Sequence, residues 1–191
     1  MKKHLQRAFT LIELVVVMAL VAVMAMLAAP GFRDFFNSSR LSSQTNALVA
    51  ALYAAKNEAI KHNANTYLVP ADGAAWSSGW MVFVDSDFSQ SFNAGDVKVL
   101  EGEALPDNLT LSGTGTSNLA PPYVSFNGSG YPRKKDSTPE NLTMSVKLNG
   151  LTGAAQLRGT RHIKLAITGR IRTCQPVSSS DNNCSGTAGA D

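Results

Sequence analysis

The sequence predicts an α+β fold: one long N-terminal helix, apolar in its first half and amphipathic in its second, packed on an antiparallel β-sheet domain. Three observations lead there. An apolar run over residues 8–29 is followed by apolar positions at helical spacing as far as residue 59. From residue 66 onward, short β-rich runs alternate with Gly- and Pro-rich turns. After residue 65 no helical period of comparable strength returns.

The run AFTLIELVVVMALVAVMAMLAA fills residues 8–29. As a helix, residues 9–29 reach about 31 Å, enough for a hydrocarbon core of roughly 30 Å. Lys2, Lys3 and Arg7 precede the run, and that basic bias holds this end in the cytoplasm. A cleaved secretory signal has a shorter apolar core followed by a small-x-small site. Here the core is longer, and small-x-small occurs only inside it. One carboxylate, Glu13, interrupts the run near its start. Unpaired in lipid it costs about 2–3 kcal/mol, which points to a partner such as the positive N-terminus of a neighbouring subunit.

Pro30-Gly31 predicts a kink, because proline lacks the backbone donor and crowds the preceding turn. Beyond it, Leu41, Thr45, Leu48, Leu52, Ala55 and Ala59 recur at spacings of four and three, which makes one apolar face. Lys56, Glu58 and Lys61 lie off that stripe. Asparagines at 63 and 65 suit a helix end. Residues 9–62 therefore read as one bent helix: a membrane half, 9–29, and an amphipathic half, 30–62.

The β-rich domain spans 63–191, with strands expected at 66–69, 79–84, 97–101, 109–112, 123–127, 142–148, 162–168 and 170–174. The segments SGTGTSN, PP and NGSGYP separate several of them. Some 160 residues beyond the apolar run suffice for one domain with its own core. Only 16% of residues are charged, as in extracytoplasmic β-rich domains. Cys174 and Cys184 are the two cysteines, and in an oxidising compartment they read as one disulfide. Closing so short a loop contributes about 2.5–3 kcal/mol.

Enzyme chemistry finds no support. Asp85, Asp87 and Asp96 resemble part of a calcium loop, but the further oxygens and terminal glutamate are missing, so a solvated hairpin connection is expected. His4, His62 and His162 have no companions at metal-ligand spacing. Neither a GxSxG elbow nor an SxxK motif occurs. No catalytic residue, no metal site and no cofactor are expected.

The segment Ala8-Phe9-Thr10-Leu11-Ile12-Glu13-Leu14 resembles the processing site of type IV pilins and type II secretion pseudopilins. That resemblance implies a leader peptide, 1–8, cut by the prepilin peptidase between Ala8 and Phe9, with Phe9 then N-methylated. It also implies that Glu13 neutralises the amino terminus of an adjacent pilin subunit during assembly. The family usually has glycine before the cut; alanine is the smallest replacement. The WMVFVDSD segment at 80–87 and VSFNGSGYP at 124–132 resemble the GspH/FimT branch of the same family. The implied fold is pilin-like, anchored by a single pass in the inner membrane. The globular domain is then periplasmic, and extracellular once in a filament.

Charge placement supplies the remaining signal. From Asn141 through Ser180 there is no Asp or Glu, while Lys147, Arg158, Arg161, Lys164, Arg170 and Arg172 give the segment +6 against +3 for the whole chain. Such a surface suits a polyanion, and arginine's planar fork suits phosphate. In Gly169-Arg170-Ile171-Arg172, alternation puts both arginines on one face and Ile171 inward. An ordinary solvated strand edge is the alternative, since edge cations also deter aggregation. The sequence Gly-Arg-x-Arg resembles the C-terminal motif of FimT-type minor pilins, which implies non-specific DNA binding during natural transformation. Arg158, Arg161 and Lys164 are then auxiliary contacts, and Arg133-Lys134-Lys135 forms a second basic cluster. Two other roles stay open: a type II secretion minor pseudopilin, and a structural minor pilin whose arginines pair with acidic subunits.

Overall fold

In the computed structural model, which describes residues 9–187 and gives only the helical path for 27–30, helix α1 runs from Leu11 to His62. The chain divides after Ser38 into two units. In the first, the apolar side chains of 9–26 face outward along the helix, with no protein core to bury them. The helix bends at the residues between Met26 and Gly31, where Pro30 predicts it. Among the described residues no single helix is long and apolar enough to cross a membrane. The stretches Leu11–Met26 and Gly31–His62 meet that measure of length and composition only together.

The second unit begins within α1. Leu41, Thr45, Leu48, Leu52, Ala55 and Ala59, the predicted stripe, are all buried. Thr45 turns its hydroxyl back to the Leu41 carbonyl at 2.7 Å, which satisfies a polar group on an otherwise apolar face. At the end Asn63 takes a left-handed φ of 48°, and the Ala64 N–H reaches the Ala59 carbonyl at 3.2 Å. Asparagine tolerates that conformation, and the bond closes the last turn.

Eight strands follow in two antiparallel four-stranded sheets; their partition is not readable from periodicity. The first sheet has the order β3-β2-β1-β5, with β1 Asn65–Pro70, β2 Trp80–Asp85, β3 Val97–Gly102 and β5 Val124–Phe126. The second has the order β4-β6-β7-β8, with β4 Leu109–Gly113, β6 Leu142–Leu148, β7 Thr160–Leu165 and β8 Ile171–Cys174. Leu68, Val82 and Phe126 of the first sheet and Leu142, Met144, Ile163 and Leu165 of the second join the helix stripe in one core. Trp76 lies between strands β1 and β2 in the chain and donates its indole N–H to the Ser117 carbonyl at 2.9 Å. Strand β7 stops at Leu165, short of the predicted 168, because 166–169 form a turn. Helix α2, Gly153–Arg158, has no counterpart in the sequence pattern: six residues are too few to display a helical period.

Candidate nucleic-acid interface

The Gly-Arg-x-Arg segment begins in the turn between β7 and β8. The Gly169 N–H meets the Ala166 carbonyl at 2.8 Å, and the Ala166 N–H meets the Arg170 carbonyl at 3.0 Å. Gly169 has φ +76°, and a Cβ there would lie 2.6 Å from the Gly130 carbonyl oxygen. Only glycine fits this turn and this approach. Two α1 side chains hold the turn from the helix side: Lys56 Nζ donates to the Gly169 carbonyl at 2.8 Å, and the Tyr53 hydroxyl donates to the Ile171 carbonyl at 3.2 Å. No sequence pattern links positions more than 110 apart, so neither Tyr53 nor Lys56 stands out in the sequence.

The alternation beyond the turn is as expected for Ile171, which is 7% exposed and enters the core opposite Leu165. Arg170 is exposed. Arg172 is half-buried on the outer face of the second sheet, and its Nη2 donates to the Asn183 carbonyl at 2.9 Å. Lys164 is its cross-strand neighbour.

A C-terminal tail covers that outer face. The expected disulfide joins Cys174 to Cys184 with the Cα atoms 5.8 Å apart. Asp181 secures the short turn before Cys184 by accepting the N–H groups of Asn183 and Cys184, both at 3.1 Å. Further along, the Thr187 carbonyl accepts the Thr143 hydroxyl at 3.0 Å. Under this cover His162 is buried, 2.7 Å from the Ser145 hydroxyl through Nδ1. Burial and, next, the charges of Lys147 and Lys164 lower its pKa, with Asp181 opposing. Lys164 itself is only 4% exposed. This corrects its assignment as an auxiliary surface contact: the tail lies over the sheet face from which it projects.

Arg158 and Arg161 stand at the other end of β7. Arg158 is exposed at the close of α2, and Arg161 uses Nη1 to hold the Arg158 and Thr160 carbonyls at 2.9 and 2.8 Å. Arg161 thereby ties off the helix end, and burial lowers its pKa. Leu165 lies four residues further along the strand, about 13 Å of chain, so the structure does not gather Arg158 and Arg161 with Arg170. The Arg133-Lys134-Lys135 cluster lies beside β5, where the Arg133 N–H meets the Ser125 carbonyl at 3.1 Å.

At the assembly end, Ala8 and the leader 1–8 lie outside the described residues. Phe9 is exposed. Thr10 and Glu13 form a reciprocal cap on α1: the Glu13 N–H meets Thr10 Oγ1 at 3.3 Å, and Glu13 Oε2 accepts the Thr10 N–H at 3.5 Å. Asp85 is not the solvated loop residue expected; it ends β2, buried, with its pKa raised by burial. It accepts the Ser89 and Gln90 N–H groups, while Asp96 accepts those of Ser86 and Asn93. These carboxylates shape the loop between β2 and β3.

A long N-terminal helix followed by two antiparallel sheets is a type IV pilin-like fold, and solved structures share that fold over about three quarters of this chain. The type IV minor pilin FimU of Pseudomonas aeruginosa is 19% identical, with a TM-score of 0.54 over 75% of this chain and 98% of that one. A second crystal form of FimU gives a TM-score of 0.51 at 72% and 98% coverage. The minor pseudopilin EpsH from the Type 2 Secretion System of Vibrio cholerae is 14% identical, with a TM-score of 0.50 and coverage of 72% and 98%. The family model described as Type II transport protein GspH matches residues 44–169, and the Prokaryotic N-terminal methylation motif matches 3–29. The chain belongs to the GspH family of pilin-like proteins. No curated protein sequence matches it. The methylation motif implies processing by the prepilin peptidase and assembly with other pilins. The GspH match ends at Gly169, so Arg170 and Arg172 lie beyond the matched residues.

Proposed function

We propose that this chain is a minor pilin of a DNA-uptake type IV pilus and grips DNA phosphates through Arg170 and Arg172. Its leader, 1–8, is removed before Phe9, Glu13 meets the amino terminus of a neighbouring subunit, and 9–29 anchors it in the inner membrane with the β-domain outside. The observation that carries the DNA reading is the inward Ile171 between two arginines that follow a turn fastened to α1. A fastened backbone limits the ordering cost of presenting the guanidinium groups, and arginine's planar fork suits phosphate oxygens, although one Nη2 donor of Arg172 is already held by the Asn183 carbonyl. Binding of this kind is non-specific, because phosphates carry no sequence information. Arg158 contributes at most a separate contact at the far end of β7, and Lys164 supports the sheet face from beneath the tail.

The test is a gel shift of duplex DNA with the full-length chain in detergent. The R170A/R172A variant is expected to bind about tenfold more weakly, from the loss of charge-assisted bonds. Equal binding by variant and wild type refutes the grip. The chain then takes the role of a secretion pseudopilin or an assembly-priming pilin, which deletion resolves by loss of secretion or of piliation rather than of transformation.

A further inference from the structure

We infer that the outer face of the first sheet carries a second ligand site, an aromatic cleft that seats one base of a single-stranded nucleic acid while Arg133, Lys134 and Lys135 hold its phosphates. The solvent side of a two-layer β-domain is ordinarily polar; on this one Tyr67, Phe83 and Tyr123 form an aromatic layer that is itself buried, at 2%, 1% and 7% exposed. Tyr67 and Phe83 stack with centroids 5.4 Å apart and planes 21° apart, Tyr123 lies 6.1 Å from Tyr67, and Phe92 meets Phe83 edge-on at 5.4 Å. These rings, with Met81 and Pro122, wall a cleft of about 360 Å³, a size that suits a small planar ligand. Phe92, at 46% exposed, stands at its mouth.

A second cleft of about 90 Å³ adjoins the first, sharing Tyr67, Gln90 and Lys135. Arg133 and Lys134 line it, and among the described residues no acid does, though Asp136 is close enough to interact with Lys134. Lys135 sits where the two meet, its ammonium 5.2 Å from the Tyr123 centroid and 5.9 Å from that of Tyr67. Its backbone is fixed too: the Lys135 N–H donates to the Tyr123 hydroxyl at 3.0 Å, and Gln90 Nε2 donates to the Lys135 carbonyl at 3.0 Å. The one acid on the larger cleft, Asp72, accepts the N–H groups of Ala74 and Ala75 at 2.8 and 2.9 Å.

The pair of clefts thus selects a ligand with an apolar plane at one end and negative charge at the other. A nucleotide of an unpaired strand has that form. The open ring of Phe92 can take a base of any sequence while cations follow the backbone, whereas a duplex keeps its bases stacked inside. A neutral sugar would leave the three cations without a role. The inference rests on residues separate from Arg170 and Arg172, and it holds or fails independently of the duplex grip.

Fluorescence anisotropy of labelled hexathymidylate with the full-length chain in detergent tests it, beside an abasic hexamer of equal charge. Wild type is expected to prefer the base-bearing strand about five- to tenfold. F92A, at an exposed ring, is expected to abolish that preference and K135Q to weaken both hexamers alike, whereas R170A/R172A is expected to keep the preference while losing duplex affinity. Equal affinity for the two hexamers, or no binding of hexathymidylate, overturns the inference whatever the duplex result. So does displacement of the strand by an acidic tyrosine-containing peptide at lower concentration, which would assign the cleft to a protein partner.

Discussion

At the scale of single residues, the Gly-Arg-x-Arg segment joins a glycine that the turn requires, an isoleucine that enters the core and an Arg172 held by the Asn183 carbonyl. Gly169 is fixed by its positive φ and by the Gly130 carbonyl, 2.6 Å from where a Cβ would stand. Gly169→Ala is therefore expected to lower stability by at least about 1–2 kcal/mol from the left-handed conformation alone, read by urea unfolding. His162 gives a second expectation. Burial and the lysines at 147 and 164 hold its pKa below 6.5, with Asp181 opposing. The unfolded chain then binds the proton more readily, so stability is full above pH 6.5 and falls as the pH drops below it. His162→Gln keeps a hydrogen-bonding partner for Ser145 and cannot charge, so its stability is expected to be flatter across that range. An equal slope in wild type and variant contradicts the assignment. What the sequence made legible here was local. Alternation with period two correctly sends Ile171 inward, but burial of Lys164 depends on a tail some twenty residues further on, which no local pattern reports.

At the scale of elements, the second half of α1 was the most legible part of the fold, because a buried stripe repeats every turn. Leu52 lies in the core, and Leu52→Ala is expected to cost about 2–5 kcal/mol. Strand existence was also readable from β-branched runs bounded by turn residues. Strand ends were not: β7 ends where 166–169 turn back, since the chain needs four residues to reverse before β8. The disulfide acts at this scale as well. It joins the end of β8 to the tail, and with it Asp181 and Thr187 keep the outer sheet face covered. C174S/C184S is expected to lose about 2.5–3 kcal/mol of stability and to speed amide exchange at 181–187 ahead of the rest. Unchanged exchange there would show that the tail is held without the cross-link.

For the whole molecule, the fold is that of a pilin-like subunit. Among the described residues the apolar side chains of 9–26 are exposed, in keeping with lipid and neighbouring helices as their surroundings. The β-domain places the Arg170 turn against α1 through Lys56 and Tyr53, a union invisible in sequence because it joins residues more than 110 positions apart. That junction ties the backbone on either side of Arg170 to the helix. Lys164→Gln is accordingly expected to leave duplex affinity unchanged, although it removes the same charge as either arginine substitution.

The salt dependence of duplex affinity tests the central claim most directly, since each phosphate neutralised adds about 0.9 to the slope of log K against log salt. Wild type is expected to be steeper than R170A/R172A by about 1.8, because the variant leaves two phosphates with their counterions. Parallel slopes with equal affinities would contradict the account.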